Sequence, residues 1–223
     1  MGNSVFRKWF APRRRGAKTH QLRQHPFAAP ALSIPFAAAV ANPGEAAQGP
    51  CRVISFATRD GRYDAELAAL ERNCTGLHLE FSGILLPPVG REDACLFKPS
   101  FIKYELYKGQ RPVIWVDADG RFLKPPVLPA ADWDLCLIRN ERPREHNQFA
   151  AFCVGLNYTP RCLAFLDIWE KLCELRIPDF GLDHYRMNCA IAAYREHLRI
   201  ADMQQANADF FARDVDSEKH RVF

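Results

Sequence analysis

From Cys51 onward, short apolar runs of β type alternate with segments of helical period, and this alternation is the tightest constraint on the fold. Arg52-Val-Ile-Ser-Phe-Ala57 reads as a strand, and Tyr63, Leu67, Leu70 and Cys74 then fall on one helical face. Leu77-His-Leu-Glu-Phe81 alternates as a strand does. Pro99 suits a first helical position, so a helix is expected from there through Phe101, Ile102, Tyr104 and Leu106 to a stop at Gly109. Pro112-Val-Ile-Trp-Val116 is a continuous apolar run of the kind found in a strand covered on both faces. Leu135-Cys-Leu-Ile138 and Ala150-Ala-Phe-Cys-Val154 read as further strands. The cleanest helical stripe follows, with Cys162, Phe165, Leu166, Trp169, Leu172 and Cys173 on one side. A last helix is expected after Asp183, with Met187, Ala190, Ile191 and Tyr194 turned inward. The alternation implies an α/β fold, a single domain with a mainly parallel central sheet flanked by helices.

A chain of 223 residues, 48% hydrophobic and 25% charged, supports one core of ordinary size. At about 150 residues per domain it is too short for two. Charge divides it unevenly. Residues 1–50 carry Arg7, Lys8, Arg13, Arg14, Arg15, Lys18 and Arg23 against Glu45, a net of +6. Residues 51–223 hold 23 basic and 25 acidic side chains, a net of −2, so no nucleic-acid partner is expected for the folded part. With prolines at 26, 30, 35, 43 and 50 and no sustained period, residues 1–50 are expected to be a disordered extension. Its basic stretch, residues 1–25, would make weak contacts with anionic surfaces. Ala39-Val-Ala41 resembles a leader cleavage site, but Pro30 and Pro35 interrupt the apolar stretch before it. The eight cysteines are scattered without a C-x-x-C pair, which reads as reduced thiols and a cytoplasmic protein.

Asp117-Ala-Asp119 follows the buried strand directly. In open α/β sheets, ligands bind outside the carboxyl ends of the strands. A turn there can bring two carboxylates onto one hard cation, which commonly completes its shell with substrate phosphates and water. The same residues would also serve as a plain strand-end turn closed by Gly120.

Taken together, Lys98-Pro-Ser-Phe-Ile102, the helix after it and Pro112-Val-Ile-Trp-Val-Asp-Ala-Asp119 resemble the donor-binding core of GT-A-type glycosyltransferases, the nucleotide-diphospho-sugar transferases. Val53-Ile-Ser-Phe-Ala-Thr58 followed by Tyr63 is similar to the strand and loop that receive the nucleotide in that family. Phe152-Cys-Val-Gly155 with Asn157 and Thr159, and Gly181-Leu-Asp183 at a helix start, also match. The resemblance spans roughly residues 52 to 200. It implies a Rossmann-like GT-A domain over residues 51–223 and a nucleotide-diphospho-sugar as donor. Mn2+ or Mg2+ would be held by Asp117 and Asp119. Asp117 would also lie near the ribose, Lys98 near the diphosphate and Thr58 near the base or ribose, while Gly155 would give the sugar a close approach to backbone. Asp183 would face the donor sugar as the catalytic carboxylate. The bland readings of these residues are a solvated cation for Lys98, a structural threonine for Thr58, a turn glycine for Gly155 and a helix N-cap for Asp183.

The chain departs from the family pattern at His184, where glutamine is usual, and at its end, His220-Arg-Val-Phe223, where many members carry another histidine ligand. The function expected is metal-dependent transfer of a sugar to a glycan, protein or small-molecule acceptor. The alternatives are a catalytically silent sugar-nucleotide-binding or interaction module and, less favoured, a haloacid-dehalogenase-type phosphatase. The phosphatase reading needs a further acidic pair, and Asp132 and Asp134 come too soon after the motif to supply it.

Overall fold

The structure, a computed structural model, describes residues 51–59, 61–130, 132–144, 147–176, 181–207, 209–214 and 220–222. The expected extension over residues 1–50 lies outside them. Strand β1 (Arg52–Thr58) is buried along its whole length and lies between β2 (Glu80–Leu86) and β3 (Val113–Val116), parallel to both. Helix α1 (Tyr63–Gly76) links β1 to β2, and α2 (Arg91–Gly109) links β2 to β3. The sheet continues through β6 (Asn147–Leu156), β5 (Leu135–Arg144) and β7 (Ile200–Asp202), giving the order β2-β1-β3-β6-β5-β7. Only β6 runs against its neighbours β3 and β5, so the sheet is mixed but mainly parallel.

Helices α3 (Pro160–Glu174) and α4 (Asp183–Tyr194) follow β6. Thr159 caps α3 by accepting the Cys162 N–H at 3.1 Å, with Pro160 at the first helical position. After β7 comes the short α5 (Met203–Ala206). A second sheet joins β4 (Gly120–Phe122), β8 (Phe211–Asp214) and β9 (His220–Val222) in antiparallel order. Among the described residues no helix is long and apolar enough to cross a membrane.

Helix α2 corrects the sequence reading, because it begins at Arg91 and carries Pro99 in its interior. An internal proline costs a helix about 3 kcal/mol. That cost is offset by burial of Phe97, Phe101, Ile102 and Leu106, each contributing about 1.5–3 kcal/mol. Phe97 and Phe101 pack on Phe56 of β1 with ring centroids 5.7 and 5.3 Å away, and Phe56 lies 4.9 Å from Trp115 of β3. This aromatic cluster fixes α2 across the end of the sheet where β1 and β3 finish. Strand β2 starts at Glu80 rather than Leu77 because the chain is still closing α1. His78 takes a φ of 55°, and the Leu79 N–H returns to the Cys74 carbonyl at 2.9 Å.

Candidate functional site

Strand β1 stays paired with β2 as far as Thr58 and Leu86, but with β3 only as far as Ile54 and Trp115. Past that point the buried Ser55 hydroxyl donates to the Val116 carbonyl at 2.7 Å, and the two strands part. The connections from β1 and β3 also leave on different sides, which makes this carboxyl end the switch point where open α/β sheets bind ligands. A cavity of about 300 Å³ opens there, and Thr58, Lys98, Asp117, Asp119, Asp183 and His184 all line it. Its size is at the lower end of the roughly 300–1,000 Å³ of small-molecule sites.

Lys98, a buried residue of α2, lines the cavity. Its Nζ donates to Asp117 Oδ1 at 2.8 Å and to the Ala151 carbonyl at 3.2 Å, and it forms an ion pair with Asp183 Oδ2. It also lies 5.0 Å over the Trp115 ring. Burial pulls the Lys98 pKa down, but Asp117 and then Asp183 outweigh it and hold the ammonium above the ordinary lysine range. The solvated-cation reading of Lys98 is therefore corrected, since only 5% of the residue is exposed. The indole N–H of Trp115 donates to the same Asp117 oxygen at 3.0 Å, so Asp117 is oriented by two donors.

Asp117-Ala-Asp119 forms a turn closed by the Gly120 N–H on the Asp117 carbonyl at 2.8 Å. The Asp117 N–H is in turn held by the Phe152 carbonyl of β6 at 2.8 Å. Gly120 is required by packing, because a Cβ there would stand 2.7 Å from Val116 Cγ1 and collide with the Phe211 ring. Phe211 stacks on Phe152 at 5.8 Å, so the small sheet supports the turn from below. The Arg121 guanidinium, which the sequence reading passed over, donates to the Ala118 carbonyl at 2.8 Å and pairs with Glu66 of α1.

Asp183 reaches the cavity from the start of α4. It is the first helical residue and Leu182 is the N-cap, with no side-chain capping bond, so the capping reading of Asp183 is corrected. Its backbone is fixed from outside: Trp169 Nε1 donates to the Asp183 carbonyl at 3.2 Å, and the buried Arg186 donates to the Gly181 carbonyl at 3.0 Å. Asn188 ties the same turn to β6, donating to the His184 carbonyl and accepting the Phe149 N–H, both at 2.9 Å. His184 Nε2 bonds Asn147 Oδ1.

Gly155 is not among the residues that line the cavity. It pairs with Ile114 and Cys136 inside the sheet, where a Cβ would stand 2.9 Å from that of Cys136 and 3.2 Å from Met203 Cε. Because β6 is antiparallel, its later residues lead away from the carboxyl ends of β1 and β3. Asn157 and Thr159 accordingly sit at the opposite edge, bonding the Trp133 carbonyl at 3.0 Å and Asp134 Oδ1 at 2.6 Å. Asp134 is fully buried there and also accepts from Arg161 at 3.0 Å and from the Arg199 N–H at 2.9 Å. That carboxylate supports the fold, not the cavity. His220 opens β9 opposite Asp214.

Among the described residues, no group of three or more His, Cys, Asp and Glu side chains is gathered to hold a metal. Mg2+ and Mn2+ suit oxygen ligands and are usually bound by one or two carboxylates plus substrate phosphates and water. Asp117 and Asp119 on one turn at the cavity wall fit a site of that open kind.

No protein-family description and no curated protein sequence matches the chain. Among solved structures, a glycosyltransferase involved in the glycosylation of the major capsid of PBCV-1 matches with a TM-score of 0.55 at 14% identity, over 75% of this chain and 95% of that one. The glycosyltransferase GlyE of Streptococcus pneumoniae TIGR4 matches at 0.48 and 11% identity, over 70% and 46%. The galactosyltransferase LgtC, in complex with donor and acceptor sugar analogs, matches at 0.45 and 11%, over 68% and 72%. The first of these carries the comparison. With the sheet order and the single antiparallel strand β6, it shows that this chain has the GT-A fold of glycosyltransferases.

Proposed function

We propose that the protein is a metal-dependent glycosyltransferase that takes a sugar from a nucleotide-diphosphate donor and passes it to a glycan, protein or small-molecule acceptor. The observation that carries the reading is the meeting of Asp117 and Asp183 on Lys98, in a cavity that Asp119 also lines, at the divergence of β1 and β3. Asp117 and Asp119 would hold Mn2+ or Mg2+, which when bound supplies positive charge to the departing diphosphate. Lys98 holds Asp117 and Asp183 in direction through its hydrogen bond and its ion pair. Thr58 and Tyr63, at the end of β1 and the start of α1, line the side where the nucleoside would lie. Asp183 presents its carboxylate to the sugar, held in direction by its ion pair with Lys98 on a backbone that Trp169 fixes.

The test is release of nucleoside diphosphate from UDP- and GDP-sugars in the presence of Mn2+, with water or a panel of acceptors. The wild-type protein should release it, with a loss on the order of 10²-fold in Asp119→Asn and Asp183→Asn. Metal-dependent donor binding without release from any sugar nucleotide would favour the silent binding module instead.

A further inference from the structure

We propose that Arg121 is a positioning residue for the turn that carries Asp119, a proposal that rests on the metal-holding role given above to Asp117 and Asp119. Its fork spans two partners that no short side chain could join. Nη1 donates to the Ala118 carbonyl at 2.8 Å and to the Gly120 carbonyl, and Nη2 pairs with Glu66 of α1. The guanidinium thus grips the backbone on both sides of Asp119 and anchors it to the helix that follows the β1 loop.

A second clamp on the same helix shows that α1 is built to hold this segment. Asn73, two helical turns after Glu66, donates to the Phe122 carbonyl at 2.9 Å and accepts the Phe122 N–H at 2.8 Å. The other side of the turn is held separately, by the Asp117 N–H on β6. Asp117 is therefore fixed by the sheet, Trp115 and Lys98, whereas the Asp119 end of the turn is held from α1 through Arg121 as well as by the pairing of β4 with β8. The pair is part exposed, with Arg121 at 25% and Glu66 at 31%, so its charge contributes little to stability. What a planar, five-donor fork adds is direction, which a lysine does not reproduce.

The test uses Arg121→Met, Arg121→Lys and Glu66→Gln in the full chain. The first readout is amide hydrogen exchange at Gly120, whose N–H closes the turn, against Asp117, whose N–H donates to the Phe152 carbonyl of β6. Arg121→Met should raise exchange at Gly120 about tenfold and leave Asp117 unchanged. The second readout is the Mn2+ concentration that half-saturates binding of a UDP- or GDP-sugar. It should rise about tenfold in Arg121→Met and nearly as much in Arg121→Lys, with the melting temperature little changed. Glu66→Gln, which leaves the two carbonyl contacts in place, should move both readouts the same way by less, and serves if Arg121→Met does not fold. Unchanged exchange at Gly120, or full rescue by lysine, overturns the proposal. Failure of the wild-type protein to bind any donor with Mn2+ would instead remove the metal reading, and the exchange result would still judge the brace.

Discussion

Lys98 Nζ stands 2.8 Å from Asp117 Oδ1, so a helix that crosses the sheet end delivers its buried cation to the strand that carries the acidic motif. The ion pair with Asp183 extends the link to α4, and three separate elements are tied through one ammonium.

Lys98→Met should destabilise the protein by about 3–5 kcal/mol at neutral pH, because Asp117 and Asp183 would be left without their buried counter-charge. Denaturant unfolding measures this. Since the carboxylates hold the Lys98 pKa above its unfolded value, which is about 10.4, the stabilisation is full below the unfolded value and is lost as pH rises through the folded one. Wild-type stability should therefore fall in that alkaline window by more than that of Lys98→Met. Equal alkaline losses would show that the ammonium is not held as described.

Gly155→Ala should cost about 1–3 kcal/mol through overpacking against Cys136 and Met203. Donor affinity should be untouched in the folded variant, because the residue faces neighbouring strands and not the cavity. A large loss of affinity with normal stability would return Gly155 to the binding site.

The eight cysteines are all free, and burial, reinforced by Asp183, pushes the Cys95 thiol at the cavity wall up to about 11. At pH 8 its thiolate is then about one part in a thousand, against roughly a quarter for an ordinary thiol. Alkylation of Cys95 in the native protein should be roughly a hundredfold slower than in denaturant. Mass mapping of the labelled cysteine would show this, and rapid native labelling would mean that the floor of the cavity is more open than Lys98 and Asp183 imply.

Much of the fold was legible because its signals are local. The short apolar run before Asp117 marks β3, and the helical period from Cys162 to Cys173 marks α3. The start of α2 was not legible, because Pro99 signals a helix start and only the packing of Phe97 and Phe101 on β1 shows why the helix tolerates it. The placement of Asp117, Asp119, Lys98 and Asp183 in one cavity followed from motif order. Gly155 did not follow, because the reversed direction of β6 is a property of the sheet and leaves no local mark. Arg121 was missed for a similar reason: its partner Glu66 lies 55 residues earlier. A charged residue beside an acidic pair gives no sign of which backbone it will hold.

The central claim is a donor site that needs both the metal and Asp119. It is tested most directly by calorimetric titration of UDP- and GDP-sugars into the wild-type protein and into Asp119→Asn, with Mn2+ and with chelator. The account predicts binding to the wild-type protein in Mn2+ that weakens by an order of magnitude or more in chelator or in the variant. Binding equally strong in all three conditions, or no binding to the folded wild-type protein, would contradict it.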